Sequence, residues 1–587
     1  MYSSFVRLFK SFRPHWRKLL LSQLLLALAV VMTVRIAALN GRLVSEGIQQ
    51  GDISAVIHIS VLMIALAIVQ AICTMGNSWL AVLFSEGTAH ELRVRTFARV
   101  QHLSFGDLDR FRIGQLLTRM TADVQSVKMG VLMTLMMALS APITIVLSIA
   151  QAAESTPQLL NLMVIIMAVV TCALIGLIWG IRAMFIRRQA SLDRLNNVLQ
   201  ENLSGVRVVK AFVREETEMR KFTEVNSDLE RTARAPMYRI ALLSPLMSFL
   251  IYGGQAFVFA VGGNEVFEGN ASLGEIVTFV NLLVASVAPM AMLAILVPIT
   301  AAGEASMRRI FEVLDARPEV IERPDSSALE IDALQGRITF EHVSFAYRAE
   351  DGTLSGEVLK DINLVIEPGQ TVGFLGSTGS GKSTLVGLVP RFYDVTSGRV
   401  AIDGVDVRDI PTAQLPLIVG TALQEAVLFS GTVRGNITFG RDIDEDDMVV
   451  AARASDAHEF VARLPERYDS RVARRGANFS GGQRQRVAIA RAAASMPKVL
   501  ILDDSTSALD LGTESRVQDS IGALMPGATK LYVAQRISSV LTADKIVLLD
   551  HGSIAGMGTH DELIAGNGLY REIYESQLGP IREGGDR

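Results

Sequence analysis

Residues 372–384 read VGFLGSTGSGKST, and the second half of the chain takes its architecture from them. Gly376, four residues, then Gly381, Lys382 and Ser383 fit G-x-x-x-x-G-K-[ST]. An apolar run precedes the stretch, and LVGLV after it opens a helix, so the motif has the strand–loop–helix setting it requires. Its glycines let the backbone curl until successive N–H groups face phosphate oxygens. The helix behind presents its positive end to the same anion. In this reading Gly376, Ser377, Thr378, Gly379, Ser380, Gly381, Lys382, Ser383 and Thr384 cradle phosphates, Lys382 reaches the outer ones and Ser383 ligates Mg²⁺. An ordinary glycine turn would need neither the Lys-Ser pair nor the flanks.

The chain has 587 residues, more than one core can organise. Half of them are hydrophobic and the mean hydropathy is +0.34, high for a soluble protein. The net charge of −4 says nothing by itself about nucleic acid, and no such partner is expected. Cys73 and Cys172 lie in apolar runs without metal-ligand spacing and are expected as buried packing residues.

The apolar residues concentrate in residues 1–302, read as a transmembrane domain. Residues 1–18 form a basic amphipathic segment suited to the membrane interface. Six stretches near 19–39, 55–84, 129–152, 157–181, 239–262 and 274–300 reach the roughly 20 residues a span needs. The segments between them alternate: short acidic loops on one side, and Arg- and Lys-rich stretches 85–128 and 182–238 on the other, which the positive-inside rule makes cytoplasmic with both chain ends. Those two long stretches keep helical periodicity, so the spans are expected to continue into the cytoplasm as helices that turn near 105–114 and 206–216. Arg35 lies inside the first span, about a turn from its outer end; it is either a ligand-facing charge or a side chain reaching the outer surface.

Residues 303–335 read as a linker: an amphipathic helix, then Pro318, Pro324 and a Ser-Ser pair. The α/β nucleotide domain spans 336–575 and a tail spans 576–587. RITFEHVSFAY alternates as a strand ending at Tyr347, whose ring either stacks on a base or closes a core. Gln424 stands between an apolar run and a turn. Ser480, Gly481, Gly482 and Gln483 open a helix, a second anion site. KVLILDD gives a buried strand over 499–502 that ends in Asp503, placed to hold Mg²⁺ through water, with Asp504 where the attacking water would be oriented. LYVAQ supplies another strand, with Gln535 just beyond it.

These elements in this order resemble an ATP-binding cassette (ABC) nucleotide domain. Six spans ahead of one such domain are similar to a half-size ABC exporter. The resemblance covers nearly the whole chain and rests on SGGQ between the phosphate loop and LILDD. It implies ATP and Mg²⁺ as cofactors and two nucleotide domains meeting head to tail. It implies that Tyr347 stacks the adenine and that Ser383, Gln424 and Asp503 hold Mg²⁺. It further implies that Ser480, Gly481, Gly482 and Gln483 face the partner's ATP, that Ser507, Ala508, Leu509 and Asp510 cross the dimer seam, and that the tips near 105–114 and 206–216 are coupling helices.

Several positions depart from the family pattern. Asp504 replaces the usual Glu and Gln535 the usual His; Phe479 stands for Leu and Arg474 for Glu. Asp is one methylene shorter than Glu, and a displacement of about 1 Å can cost on the order of 10²-fold in rate. Gln can donate to a phosphate but carries no charge. The catalytic pair is thus weakened while the phosphate and Mg²⁺ groups stay whole. That combination resembles the degenerate-site subunit of bacterial heterodimeric multidrug-type exporters, whose partner carries Glu and His at the matching positions. The activity so implied is ATP-driven export of an amphipathic small molecule, lipid or peptide across a bacterial cytoplasmic membrane. A homodimer, a regulatory subunit that uses ATP as a clamp, and an importer of metal chelates with the same fold remain open alternatives.

Overall fold

A computed structural model describes residue 7 and residues 16–155, 157–269, 271–349 and 353–580. The interfacial segment expected over 1–18 lies largely outside the described residues, as does the end of the tail, 581–587. Contacts divide the chain into two units, Met1–Arg99 with Gly114–Ala316, and Val100–Ile113 with Arg317–Arg587.

The first unit is helical. Five helices among the described residues are long and apolar enough to cross a membrane: Trp16–Ile48, Ile53–Gln101, Ile113–Ser155, Glu215–Phe267 and Leu273–Asp315. The other expected span, 157–181, falls in the helix Leu160–Ser204, of which Leu160–Gly176 is the apolar stretch among the described residues. Among the described residues, then, five spans rather than six meet the length. The helices outrun the bilayer: Ile53–Gln101 has 49 residues, where about 20 would cross it. Helix Leu273–Asp315 runs unbroken past Pro289 and Pro298. Short helices Phe105–Phe111 and Val206–Ala211 form the two tips.

Met163, Ile276, Phe279, Leu282 and Leu283 make one buried cluster of this unit; Val124, Val127, Met307 and Ile310 anchor another. Ile64, Ile72, Met75 and Trp79 stay exposed along one long helix, the reverse of a soluble pattern and the face lipid would cover. Cys73 is buried, but Cys172 is exposed. The expectation of two buried cysteines fails for Cys172 because a helix turned toward lipid is apolar on its outer face as well as its inner one. Arg35 is exposed and its Nη1 donates to Gln151 Oε1 at 3.1 Å.

The first helix packs against Leu273–Asp315 near its end, where Gly41 and Gly274 bring the backbones together. A Cβ at Gly274 would overlap the carbonyl of Gly41 and lie 2.8 Å from Ser45 Cβ. Small residues at such crossings let helices approach closely, which is how packing is gained without a hydrophobic driving force.

The second unit is built on three sheets. Strands β1 (Ile338–Phe345), β2 (Leu359–Ile366), β4 (Ser397–Ile402) and β5 (Val405–Asp406) form an antiparallel sheet in the order β2-β1-β4-β5. Strands β3 (Thr371–Leu375), β6 (Val419–Ala422), β9 (Val499–Asp503), β10 (Thr529–Val533), β11 (Lys545–Asp550) and β12 (Ser553–Gly558) form a sheet in the order β12-β11-β3-β10-β9-β6. All its pairings are parallel except that of β12. The strands β7 (Gly431–Thr432) and β8 (Arg471–Val472) pair separately. Strands β9 and β10 are buried at every position, as continuous apolar runs between helices require. β1 stops at Phe345, two residues before Tyr347, because the Ala346 N–H turns to Thr396 Oγ1 and the Tyr347 carbonyl accepts from Ser355.

Replacing Gly274 by Val should prevent the first and last helices of the membrane unit from closing. The expected outcome is loss of the monodisperse peak in size-exclusion chromatography in mild detergent, with Gly263→Val, which meets nothing within 4 Å, as the tolerated control.

Candidate functional site: a phosphate loop at the strand ends

Parallel pairing carries the separated motifs to one edge. β10 bonds to β3 on one side and to β9 on the other, with Val533 level with both Phe374 and Asp503. The phosphate loop leaves β3, Asp503 ends β9 and Gln535 follows β10 by two residues. Gln424 follows β6, the neighbour of β9, by two residues. Ligands of open parallel sheets bind beyond these carboxyl ends.

The loop is shaped for a phosphate chain. Gly376, Gly379 and Gly381 have φ of +149°, +86° and +99°. A Cβ at Gly376 would overlap the Leu549 carbonyl, and one at Gly381 would lie 2.7 Å from Leu359 Cδ2. Only glycine meets both demands. Lys382 Nζ folds back on the carbonyls of Gly376 and Ser377 at 2.8 and 2.9 Å, and burial lowers its pKa. The Ser380 hydroxyl is buried without a hydrogen-bond partner. A buried cation hydrogen-bonded to carbonyls, with the Asp503 and Asp504 carboxylates near it, and an unmatched hydroxyl both suit an incoming anion accompanied by a cation.

Ser383 Oγ donates to Asp503 Oδ1 at 2.7 Å. Burial raises the Asp503 pKa, against the hydrogen bond from Ser383. A divalent cation between these oxygens would relieve that desolvation. Ser383, Asp503 and Gln424 offer oxygen donors only, a set suited to Mg²⁺ completed by phosphate. The residues present therefore fit ATP with Mg²⁺, which would supply the transferable phosphoryl group and its charge neutralisation.

Asp504 sits in the left-handed region at φ +47°. Its Oδ2 accepts from Gln424 Nε2 at 3.1 Å and from Gln535 Nε2 at 2.9 Å. Both glutamines thus present their amide nitrogens to one carboxylate oxygen. Their amide oxygens remain for other partners, as Gln424 would need as a ligand. Burial raises the Asp504 pKa, and the two glutamine donors pull it back.

Tyr347 shares a 2.8 Å hydrogen bond between its hydroxyl and Thr384 Oγ1, so the strand-end aromatic does reach the phosphate loop. Ser480 caps the helix Gly481–Ala493: its Oγ accepts from the Gln483 N–H while the Gln483 side chain accepts from the Ser480 N–H. Gln485 on the same helix accepts from the Ala508 N–H at 3.0 Å, and Asp510 caps Leu511–Leu524 through the Thr513 N–H, so 507–510 is tied to both helices. A cleft of about 370 Å³ opens between Gln424, Glu425, Arg475, Gly481, Gln485 and Ala508. No phosphate-loop residue is among its lining. Phe479 is buried edge-on to Phe460, and Arg474 lies exposed in the turn Arg474–Gly476. Sequence reading missed Tyr393, which packs on Tyr347; its signal is the aromatic pair in RFYD just past the loop helix.

Comparison with known proteins gives the family. The ABC transporter transmembrane region family matches residues 19–290, and the ABC transporter family matches 359–507. An ATP-dependent lipid A-core flippase of Syntrophus aciditrophicus (strain SB) is 32% identical over 575 residues, 98% of this chain and 94% of that protein. The chain belongs to the ABC transporter family. A Staphylococcus aureus (strain NCTC 8325 / PS 47) protein, named as a candidate multidrug export ATP-binding/permease protein, is 34% identical over 506 residues, 85% of this chain and 86% of that one. A solved bacterial Atm1-family ABC exporter with ATP bound superposes with a TM-score of 0.77 at 25% identity, over 97% of this chain and 99% of that one. The transporter has the half-size exporter plan, a helical transmembrane region followed by an ATP-binding domain.

Because burial raises the Asp504 pKa, its contribution favours the folded state below the unfolded carboxyl pKa and is lost as pH rises through the folded one. Asp504→Asn removes that ionisation. The nucleotide-free transporter carrying it should melt above wild type at about pH 7.5, and in thermal unfolding scans the gain should shrink as pH falls and be gone only below the unfolded carboxyl pKa of about 3.9.

Proposed function

We propose that this chain is the degenerate-site half of a heterodimeric exporter. Its own loop, Gly376 through Thr384, with Gln424, Asp503, Asp504 and Gln535, binds ATP and Mg²⁺ and turns over slowly. Its Ser480, Gly481, Gly482 and Gln483 complete a fast site on a partner chain that carries Glu and His where this one has Asp504 and Gln535. The observation that carries the reading is the double hydrogen bond onto Asp504 Oδ2. A short carboxylate with one oxygen held by two amide donors is less free to reach and orient a water, and Gln535, engaged with it, replaces a residue that could carry charge.

In the same reading residues 1–302 form a transmembrane domain with six spans, 157–181 being the fourth, followed by a linker at 303–335 and the nucleotide domain at 336–575. Helices Phe105–Phe111 and Val206–Ala211 are the coupling helices. ATP binding closes the nucleotide domains and turns the cavity outward; hydrolysis resets it. The cargo is amphipathic or lipophilic, a reading the flippase and multidrug names of the relatives support. The membrane is the bacterial cytoplasmic membrane, with both termini and the nucleotide domain inside.

Two measurements test this. Asp504→Glu with Gln535→His should raise ATP turnover at this chain's site by on the order of 10-fold or more, read with the partner's site inactivated; unchanged turnover would sink the geometric account. Native mass spectrometry of the transporter purified from its own genomic setting should give 63.7 kDa plus an unequal partner. A mass of twice that value would overturn the heterodimer.

A further inference from the structure

The helix Phe105–Phe111 is the covalent turn between Ile53–Gln101 and Ile113–Thr118, yet its contacts assign it to the nucleotide unit. Four features hold it there. Phe105 stacks on Phe392 with centroids 4.2 Å apart. Asp107 is buried; its Oδ2 accepts from the Ser104 and Glu319 N–H groups. Gly106 permits the approach, since a Cβ there would overlap Glu319 and meet Tyr393 Cδ1 at 3.6 Å. The Tyr393 hydroxyl donates to Asp109 Oδ2 at 2.9 Å.

Tyr393 also faces the phosphate loop. Its ring meets Tyr347 edge-on at 5.3 Å, and Phe345 packs against both, at 4.9 Å from Tyr347 and 5.5 Å from Tyr393. Tyr347 in turn bonds Thr384 of the loop at 2.8 Å. The backbone behind Tyr393 is tied through Arg391. Arg391, buried with φ +57°, pairs with Asp394 and donates to the Ile321 carbonyl at 2.9 Å. Asp109, Tyr393, Tyr347 and Thr384 therefore form one chain of contacts from the turn of the membrane helices to the phosphate loop.

We propose that Tyr393 is a positioning residue that couples docking of the helix Phe105–Phe111, through Asp109, to the stance of Tyr347 in the nucleotide pocket. The inference rests on Tyr347 stacking the nucleotide base. With the helix docked, the Tyr393 ring is pinned at its hydroxyl and fixes the edge of Tyr347. When Asp109 leaves, Tyr393 keeps its ring contacts but loses its anchor. Linkage makes the effect mutual: nucleotide that favours the pinned Tyr347 must favour the docked helix by the same factor. An edge-on aromatic pair and a charge-assisted hydrogen bond are each large enough to carry such a factor.

The test uses the assembled transporter in detergent, with radiolabelled 8-azido-ATP crosslinked and read on this chain alone. Tyr393→Phe keeps the ring and removes only the hydroxyl; Asp109→Ala removes the acceptor. Each should raise the half-saturating nucleotide concentration about 3- to 10-fold, and the double variant no further than either single, as two ends of one bond require. In parallel, MgATP should slow hydrogen exchange at amides 105–111 in the native protein and fail to do so in Tyr393→Phe. Native-like labelling and protection in Tyr393→Phe, or additive effects in the double variant, would overturn the coupling. Tyr347→Ala separates the two claims. If it weakens labelling while Tyr393→Phe does not, only the coupling fails; if it leaves labelling unchanged, the base-stacking reading fails and the coupling with it.

Discussion

Strand β10 hydrogen-bonds in parallel to β3 and to β9, and the nucleotide site exists because of that arrangement. Parallel strands in one sheet end on one edge, so whatever follows them in sequence gathers there. The phosphate loop, Asp503, Gln535 and, through β6, Gln424 arrive from positions far apart in the chain. Strands β9 and β10 are buried along their length and β3 at all but its first residue, which holds the edge still.

That edge concentrates uncompensated desolvation. Lys382, Asp503 and Asp504 are all shifted toward their neutral forms by burial. Lys382 has carbonyls for company, Ser380 has a hydroxyl without a partner, and Asp503 has one serine. An anion with its cation satisfies all of these at once. Asp504 differs, since two glutamine amides already occupy one of its oxygens. The binding part of the site is thus left unsatisfied, and the part that would direct water is partly satisfied from within. This contrast between the two parts of the site is what the slow-site proposal rests on.

In the membrane unit the constraint is steric rather than electrostatic. Gly41 and Gly274 lie where no side chain fits, and Ser22 and Asn77 pair across helices at 2.7 Å. Lipid offers no hydrophobic drive for helices to associate, so close approach and internal polar pairs have to supply it. The same absence of contrast explains Cys172, whose apolar surroundings in sequence say nothing of whether it faces protein or lipid.

The sequence by itself determined the local chemistry. The glycine spacing of 376–381 dictates a loop that only positive φ can close, the run before Asp503 dictates a buried strand, and Ser480 with Gln483 dictates a capped helix. It also determined the division into an apolar first part and an α/β second part, because periodicity and hydropathy are local properties. Only the tertiary structure decided strand order, the meeting of Gln424 and Gln535 on one oxygen of Asp504, and the seat of Phe105–Phe111 against Tyr393. Those contacts join residues from 31 to 284 positions apart. No period in a chain reports such a separation, since the contact is set by how whole sheets and helices pack, not by any residue's own preference.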